Sequence, residues 1–465
     1  MPARLGTQER PARIAIIGAG PAGFYTAEAL LRQKDLVCTI DIFNRFPTPF
    51  GLVRDGVAPD HQSIKAVTRV YDKILDNPRV RYFGNVTFGV DLQHADIRPL
   101  YDQIVYAVGA QSDRRMGIPG EDLEGSVPAT AFVGWYNGHP DYRDQPFDLS
   151  HERAVVVGNG NVAMDVTRIL VTDPEELAKT DIADHALAAL RASRVREVVM
   201  LGRRGPAQAA FTNAELKEFG ELRGVDVIVD PADLQLDPQS EESLAENRIA
   251  ARNVELLRAF AARGPSGAPR RIVMRFLRSP VALIGAGGRV VAVRIEHNTL
   301  VPDSMGGLRA RGTGVFEEIP AGLVLRSVGY RGVPLPGVPF DDAACVIPNV
   351  AGRVIEPAGG EEVPGEYVVG WIKRGPSGVI GTNKADAVST VAAMVEDLAT
   401  LPGIADEQRD PQLVVELLRR RKLDFVLVEG WRALDAHEVQ CGAAQGRPRV
   451  KVTSVQEMLR VIHGA

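Results

Sequence analysis

Three glycines near the start of the chain have a spacing that can bind the pyrophosphate of a dinucleotide. Gly18, Gly20 and Gly23 form a GxGxxG pattern within RIAIIGAGPAGFYTAEALL, residues 13–31. In such a pattern the glycines permit a tight turn, a close approach of the phosphates, and packing of a helix on a strand. Small residues at a strand-to-helix turn also serve packing alone, so the pattern predicts dinucleotide binding only between a strand and a helix.

A second pattern of the same kind lies further along the chain. Gly158, Gly160 and Ala163 have GxGxxA spacing in GNGNVAMD, residues 158–165. Two such units in one chain are more specific than either alone. Together they predict that the protein binds two different dinucleotides.

Two adjacent arginines indicate which dinucleotide the second unit binds. Arg203 and Arg204 follow the predicted strand 198–201, at the place where an acidic residue otherwise contacts a ribose hydroxyl. A guanidinium group is always charged and matches the geometry of a phosphate. The pair therefore favours NADP(H) over NAD(H), with two solvated surface arginines as the alternative.

Short apolar strands and amphipathic helices must position these residues. Residues 13–17 and 154–157 predict strands before the glycines, and residues 22–31 and 162–170 predict helices after them. A helix that begins there offers free amide groups and the positive end of its dipole to phosphates. The predicted fold class is α/β, with two Rossmann-like dinucleotide-binding domains.

Two similar segments predict that one domain is inserted into the other. Residues 101–110 and 323–332 each predict a buried strand followed by a glycine, Gly109 or Gly329. A chain enters and leaves an inserted domain at adjacent points. The predicted domains are residues 1–110 with 330–465, and residues 111–329.

Three further segments predict contacts to the first dinucleotide. Asn44 follows the predicted strand 37–43, where an acid usually binds the ribose, so replacing it by Glu is expected to tighten retention of this dinucleotide. The proline-rich loop 47–61 suits a wall beside a planar ring, or is a simple crossover loop. Residues 366–395 predict a strand, a glycine-rich loop and a helix. In that loop the backbone amides of Gly378, Val379 and Ile380 would point into the space in front of the helix. Trp371 offers an aromatic plane beside them.

The remaining elements are predicted from periodicity. They are a strand at a hairpin edge over 81–88, a helix over 62–75, a helix over 242–262, and one or two helices and a strand beyond residue 400 without a catalytic constellation.

Composition excludes several classes of protein. A formal net charge of -5 excludes a globally basic nucleic-acid binder. No apolar run approaches the roughly 18 residues of a membrane span, and the first ten residues lack a secretory core, so a cytoplasmic location is expected. Cys38, Cys345 and Cys441 include no CxxC pair, which argues against a zinc site, an iron–sulfur cluster or a redox disulfide. No metal is expected.

A run of arginines on this acidic chain predicts a docking face for an anionic protein, with a merely solvated surface as the alternative. Between residues 248 and 278 a single acid, Glu255, accompanies eight arginines, which are Arg248, Arg252, Arg258, Arg263, Arg270, Arg271, Arg275 and Arg278.

Longer strings around these sites resemble the adrenodoxin reductase family, most closely its bacterial NADPH-ferredoxin reductases of the FprA kind. The strings are GAGPAGFY, PFGLVRDGVAPDH, GNGNVAMDV, GRRGPAQAAFT and GWIKRGPSGVIGTN. The resemblance covers nearly the whole chain. It implies that residues 1–110 with 330–465, including a carboxyl-terminal extension, form an FAD-binding domain, and that residues 111–329 form an inserted NADP-binding domain.

The resemblance also implies roles for individual residues. Those that would contact FAD are Ala22, Asn44, Leu52, Phe88, Trp371, Gly378, Val379 and Ile380. Those that would contact NADP(H) are Asn159, Gly160, Asn161, Val162, Arg203, Arg204, Glu215 and Gly378. His61 and Glu218 match positions thought to orient the nicotinamide and handle protons near the flavin, with a structural loop histidine and a surface glutamate as the alternatives.

The implied activity is that of an FAD-dependent ferredoxin–NADP(+) reductase. A hydride would pass from NADPH to flavin N5, and two single-electron steps would then reduce a ferredoxin or a similar small acidic iron–sulfur protein. The lack of a CxxC pair agrees, because a flavin without a dithiol must pass electrons directly to a partner or to oxygen.

Three alternatives are less well supported by the sequence. An electron-input subunit of a larger complex, like the small subunit of glutamate synthase, would carry a cysteine-rich domain, and only about a dozen residues precede the first predicted strand. A non-catalytic nucleotide-binding protein would not need both glycine units, both arginines and the flavin loop. A flavin monooxygenase would need a substrate domain, for which no signature is found.

Overall fold

The structure is a computed structural model that describes residues 4–304, 307–357 and 360–464. Within these ranges the chain forms eighteen strands, which are β1 (Ala12–Ile17), β2 (Cys38–Phe43), β3 (Val80–Phe83), β4 (Gln103–Tyr106), β5 (Ser112–Asp113), β6 (Ser126–Pro128), β7 (Arg153–Val157), β8 (Glu197–Leu201), β9 (Val225–Val229), β10 (Arg270–Arg275), β11 (Arg278–Ala286), β12 (Arg289–Pro302), β13 (Leu308–Pro320), β14 (Leu323–Arg326), β15 (Tyr330–Arg331), β16 (Asn349–Val350), β17 (Arg353–Ile355) and β18 (Glu362–Val368).

The same ranges contain seventeen α-helices, which are α1 (Pro21–Leu31), α2 (Leu52–Asp55), α3 (Gln62–Lys65), α4 (Thr68–Leu75), α5 (His94–Ile97), α6 (Ala129–Asn137), α7 (Asn161–Val171), α8 (Pro174–Leu177), α9 (Asp184–Arg191), α10 (Asn213–Phe219), α11 (Pro238–Glu246), α12 (Arg248–Arg263), α13 (Trp371–Arg374), α14 (Thr382–Asp397), α15 (Gln412–Arg420), α16 (Val428–Ala443) and α17 (Val455–His463). Among them, none is long and apolar enough to cross a membrane.

Two largely parallel sheets organise the structure. The first has the order β16-β17-β18-β4-β1-β2-β3, and the second has the order β6-β14-β7-β8-β10-β9. In the first sheet β1 pairs in parallel with β2 and β4, and in the second β8 pairs in parallel with β7 and β10. The predicted α/β class with two Rossmann-like sheets is confirmed.

The central strands of both sheets are mostly apolar. All six residues of β1 are buried, as expected for a strand covered by helices on both faces. The core on one face of the first sheet joins β1 to α1 and α14, for example Ile16, Phe24 and Val391. The core on one face of the second joins β7 to α6 and α7, for example Val156 and Phe132.

The two segments that link the sheets run side by side. Strand β5 pairs with β15, and the Arg114 amide donates to the Gly329 carbonyl over 2.9 Å. All strands of the second sheet lie between β5 and β15 in the sequence, and the last of them, β14, directly precedes β15. A separate antiparallel sheet, β11-β12-β13, packs its apolar face on the second sheet through Leu283 and Val293.

Several predicted elements differ from the observed ones. The hairpin-edge strand over 81–88 is wrong, since β3 ends at Phe83 and pairs in parallel with β2. Gly84 and the positive φ of Asn85 (58°) follow the strand. The predicted helix over 62–75 is two helices, α3 and α4. The predicted helix over 242–262 is also two, because the side chain of Asn247 caps α12 by accepting from the Ala250 amide.

The carboxyl-terminal segment forms α15, α16 and α17 instead of the one or two helices and a strand that were predicted. This segment contacts residues that accompany the first sheet and residues that accompany the second. The buried Lys451 ammonium donates to the carbonyls of Arg54 (2.9 Å) and Asn137 (3.0 Å). It also lies 3.4 Å from Asp181 Oδ2, to which Lys65 donates over 2.8 Å. Burial lowers the pKa of Lys451 to about 7.

Candidate functional site

The first glycine turn is open in front of helix α1. Gly18 has φ 114°, and a Cβ on it would lie 2.5 Å from the Ala107 carbonyl oxygen. A Cβ on Gly23 would lie 2.1 Å from the Gly18 oxygen, so both positions require glycine. Gly20 is the N-cap without a side-chain cap, and a Cβ there would meet no protein atom within 4 Å. The space that such a Cβ would fill, at a helix N-terminus, fits a pyrophosphate.

Asn44 supports the loop beside this turn. Its carboxamide nitrogen donates to the carbonyls of Phe46 (3.1 Å) and Thr48 (2.9 Å), and its oxygen accepts from the Ala19 amide (3.3 Å). The loop then returns to the glycines, because the Phe50 amide donates to the Ala19 carbonyl over 2.7 Å. The structure therefore gives Asn44 a role in the loop that the sequence did not predict.

The other residues predicted to contact FAD lie on four separate segments of the chain. Ala22 is in the first turn of α1, and Leu52 begins α2 and is 38% exposed. The ring of Phe88 packs 5.9 Å from that of Tyr106, at the end of β4. Trp371 begins α13, and its ring lies 5.2 Å from that of Tyr330.

The loop before α14 presents backbone at the surface. Gly378 has φ 80°, and the Val379 amide donates to the Thr382 hydroxyl oxygen over 3.1 Å. Val379 is 58% exposed, although it is apolar. Ile380 packs against the core of the first sheet.

The second glycine turn repeats the geometry of the first. Gly158 has φ 131°, and a Cβ on it would lie 2.2 Å from the Ser327 carbonyl oxygen. Gly160 is the N-cap of α7 without a side-chain cap, and a Cβ there would meet nothing within 4 Å. Asn159 and Asn161 bind the next strand-to-helix segment, since the Thr212 amide donates to the Asn161 side chain over 2.9 Å and the Ala210 amide donates to the Asn159 carbonyl. Val162, the next residue of α7, packs against the core of the second sheet.

Arg203 and Arg204 lie just after β8, on the same edge of the sheet as Gly158. Arg203 is exposed and Arg204 is half-buried. Their backbone carbonyls accept hydrogen bonds from the Asn298 side chain (2.8 Å) and the Leu277 amide (3.1 Å). Among the described residues, neither guanidinium group forms an ion pair, so both remain available to a phosphate.

His61, Glu215 and Glu218 come together at one place. His61 Nε2 lies 2.9 Å from Glu218 Oε2, and His61 Nδ1 lies 3.8 Å from an Asp165 oxygen. Glu215 and Glu218 share one face of α10, and one ligand atom from each of the three predicted residues lies within 4.8 Å of the others. This spacing would suit a metal ion, but the Arg168 guanidinium already supplies positive charge to both glutamates, at 3.3 Å and 3.4 Å.

The charges in this cluster shift its pKa values in different directions. Burial, with the nearby Asp165, raises the pKa of Glu215 to about 7. The hydrogen bond from His61 lowers the pKa of Glu218. Burial works to lower the pKa of His61, but the Glu218 hydrogen bond and the Asp165 and Asp60 carboxylates outweigh it and raise that pKa. Such opposed shifts at one place are typical of sites that handle protons.

Sequence reasoning missed Arg168, Asp60 and Asp165. Arg168 and Asp165 lie on α7, three residues apart, and Asp60 precedes His61. The only available signal was the spacing of Asp165 and Arg168 within the helix after the second glycine turn. That spacing alone equally describes a solvated helix face.

The eight arginines between residues 248 and 278 do not share one surface. Arg271 pairs with Glu197 at the start of β8, whereas Arg275 and Arg278 pair with Asp233. Arg248 and Arg252 lie at the start of α12. The side chain of Asn213, at the start of α10, donates to the Ile249 carbonyl of α12 over 2.9 Å. This part of the predicted docking face is therefore hydrogen-bonded to α10, the helix that carries the two glutamates.

Comparisons with known proteins agree with this arrangement. Residues 12–231 match the family described as pyridine nucleotide-disulphide oxidoreductase. The chain is 49% identical over 459 residues to NADPH-ferredoxin reductase FprA of Mycobacterium leprae, which covers 97% of this chain and 98% of that protein. It is 41% identical over 462 residues to the mitochondrial NADPH:adrenodoxin oxidoreductase of Arabidopsis thaliana, which covers 97% of this chain and 95% of that protein.

A solved structure shows the same fold over the same length. It is that of Mycobacterium tuberculosis FprA in complex with NADPH, with a TM-score of 0.93 and 48% identity, covering 98% of this chain and 100% of that one.

Proposed function

Since this chain belongs to the adrenodoxin reductase family, among its FprA-type NADPH-ferredoxin reductases, we propose that it transfers electrons from NADPH through FAD to a ferredoxin. The observation that carries this proposal is the identity of 49% over 97% of the chain, in a structure where both glycine turns are open in front of a helix. When bound, the flavin accepts a hydride from NADPH and releases the two electrons singly.

The first glycine turn is proposed to bind FAD and the second NADP(H). The open positions at Gly20 and Gly160 would each receive a pyrophosphate at a helix N-terminus. Trp371 and the exposed backbone from Gly378 to Ile380 would cover the flavin. Arg203 and Arg204 would bind the 2'-phosphate, and what supports this is that neither has a carboxylate partner in the described chain.

The proposed domains follow the sheets. Residues 1–110 and 330–465 would form the FAD-binding domain, and residues 111–329 the NADP-binding domain. The pairing of β5 with β15 supports these bounds, because it brings the entry and exit of the inserted segment together.

His61 and Glu218 are proposed to orient the nicotinamide and to hold a proton beside the flavin. Their 2.9 Å contact joins a loop that follows the first glycine unit to a helix that follows the second. The chain's own contribution would be to position two rings and to exclude water, with no side chain required as a nucleophile.

The ferredoxin is proposed to dock at the start of α12. Arg248 and Arg252 are exposed there, and between them Ile249 is 60% exposed. Basic side chains around an apolar one suit a small acidic partner, because charge steers the encounter and apolar area adds affinity.

A cytoplasmic location is also proposed. Cys38, Cys345 and Cys441 are all unpaired, which suits a reducing compartment.

The function is tested with the purified holoprotein under anaerobic conditions. A flavin absorption band should be present, NADPH should bleach it faster than NADH at equal concentration, and a host ferredoxin should then restore it. A preparation that takes up no flavin, or a flavin that NADPH does not reduce, would refute the proposal.

A further inference from the structure

Arg168 is the buried centre of the charged cluster. Its side chain is 3% exposed and lies on α7, the helix that follows the second glycine turn. Besides the two glutamates of α10, it donates to Asp165 over 2.7 Å. A buried guanidinium is costly unless each of its donors is paired, and here one cation serves several carboxylates.

The contact of Arg168 with Asp60 joins two distant parts of the chain. Arg168 Nε donates to Asp60 Oδ2 over 2.8 Å, and Nη2 donates to Asp60 Oδ1 over 3.0 Å. This two-pronged geometry fixes the carboxylate in both distance and orientation. Asp60 directly precedes His61, so the same contact fixes the backbone that carries the imidazole.

Arg168 also holds the other member of the pair. Its Nη1 atom lies 3.4 Å from Glu218 Oε2, the oxygen that contacts His61 Nε2. One rigid group thus touches Glu218 directly and holds His61 through Asp60.

We propose that Arg168 is a positioning residue for the transfer of a hydride to the flavin. Through Asp60 and Glu218 it sets where the His61–Glu218 pair stands relative to the second glycine unit. This inference rests on the proposed function, in which that pair orients the nicotinamide. Small displacements of a positioned reactant slow a reaction strongly, so the effect is kinetic even though Arg168 touches no cofactor in the proposal.

The surroundings of His61 give this role an electrostatic signature. The charged and titratable groups that face it are Glu218 and Glu215 from α10, Asp165 and Arg168 from α7, and Asp60 from its own loop. The Tyr136 hydroxyl of α6 is buried nearby, without a hydrogen-bond partner among the described residues. Arg168 lowers the pKa of His61, whereas Asp60 raises it.

The two partners can therefore be removed with opposite electrostatic effects and the same loss of positioning. In Arg168→Met the imidazole should titrate at higher pH than in the parent, and in Asp60→Asn at lower pH. Both variants should slow reduction of the flavin by NADPH about tenfold to a hundredfold. The imidazole is followed by NMR, with His61→Gln to identify its signal among the eight histidines, and the reduction is followed by stopped flow.

Two further variants separate positioning from folding. Arg168→Lys keeps the charge but cannot span both oxygens of Asp60, so it should leave the His61 titration closer to the parent than Arg168→Met does, while reduction remains slow. Arg409→Met removes another two-pronged pair, in which the half-buried Arg409 donates to the buried Asp102 over 3.0 Å and 3.1 Å next to the start of β4. It should lower stability without moving the His61 titration.

The outcomes distinguish the two proposals. If Arg168→Met and Asp60→Asn moved the His61 titration in the same direction or not at all, or reduced the flavin at the parent rate, the role of Arg168 would be refuted. An equal shift in Arg409→Met would refute it as well. If the parent flavin were not reduced by NADPH, the proposed function would fail, whereas opposite shifts of the titration would still support the tie through Arg168.

Discussion

Replacing Glu215 by Gln should stabilise the protein at alkaline pH. The change keeps the shape of the side chain and its ability to accept from Arg168, but it removes one of several carboxylates from the cluster. Glu215 is buried, with its pKa raised from 4.5 to about 7. A carboxyl group with a raised pKa is protonated more readily in the folded than in the unfolded protein. Stability therefore falls as the pH rises from 4.5 to 7.

The size of the effect follows from the two pKa values. The interval between 4.5 and about 7 corresponds to about 3 kcal/mol of unfolding free energy, which is fully lost above pH 7. Because Gln does not ionise, the variant should be more stable than the parent by up to this amount at pH 8.5. The difference should shrink to roughly half near pH 5.5 and nearly vanish at pH 4.5.

The assay is urea unfolding at pH 5.5, 7.0 and 8.5, followed by tryptophan fluorescence. Trp135 lies in the core of the second sheet, together with Leu216 and Phe219 of the helix that carries Glu215. Glu218→Gln is the matched control, one turn further along α10. Hydrogen bonding to His61 lowers the pKa of Glu218, so this exchange should destabilise the protein at pH 8.5 and lose its effect as the pH falls through the acidic range. A gain for Glu215→Gln that did not grow with pH, or effects of the same sign in both variants, would refute the reasoning.

Three other predictions concern the cofactors and the partner. Replacing Arg203 and Arg204 together by Ala should raise the KM for NADPH at least about tenfold, which corresponds to about 1.4 kcal/mol of binding free energy. The KM for NADH should change little in the same steady-state assays. An equal loss for both nucleotides would contradict the 2'-phosphate assignment. Asn44→Glu should weaken flavin retention, because a carboxylate cannot donate to the Phe46 and Thr48 carbonyls. Retention is measured by equilibrium dialysis, and tighter retention would instead support a ribose contact. Reversing the charge at Arg248 and Arg252 should slow the reduction of ferredoxin in a salt-dependent manner and leave the reduction of ferricyanide unchanged. The same change at the exposed Arg194 and Arg196, just before β8, should affect neither reaction. A matching loss with ferricyanide would refute the docking site.

The two glycine turns were predictable because their cause is local. Each needs a strand, a spacing of small residues and a helix, all within about twenty residues. The structure adds what a Cβ at Gly18 or Gly158 would strike, and those atoms belong to Ala107 and Ser327, far away in the sequence.

The cluster around Arg168 was not predictable for the opposite reason. Its contact with Asp60 spans 108 positions, and neither residue belongs to a pattern that differs from an ordinary helix or loop. His61 and Glu218 were named only because longer strings resemble a known family. Asn44 is a related case. The sequence alone predicts that Asn44→Glu tightens flavin retention, whereas the hydrogen bond from its side chain to a carbonyl of its own loop predicts that the exchange weakens it.

The wrong strand over 81–88 has a simple cause. An alternating apolar pattern indicates a strand but not its partner, and β3 pairs with β2 through a long crossover instead of a hairpin.

The interleaved order of the two sheets sets a sequence of events during synthesis. Strand β14 completes the second sheet at Arg326, whereas the first sheet waits for β18, which ends at Val368 and pairs with β4. During synthesis, the second sheet can thus acquire its full set of strands while the first sheet still exposes the apolar edge of β4. A nascent chain arrested after β14 has left the ribosomal exit tunnel, but before β18 has, should therefore resist protease over its middle third and be cut readily within its first hundred residues.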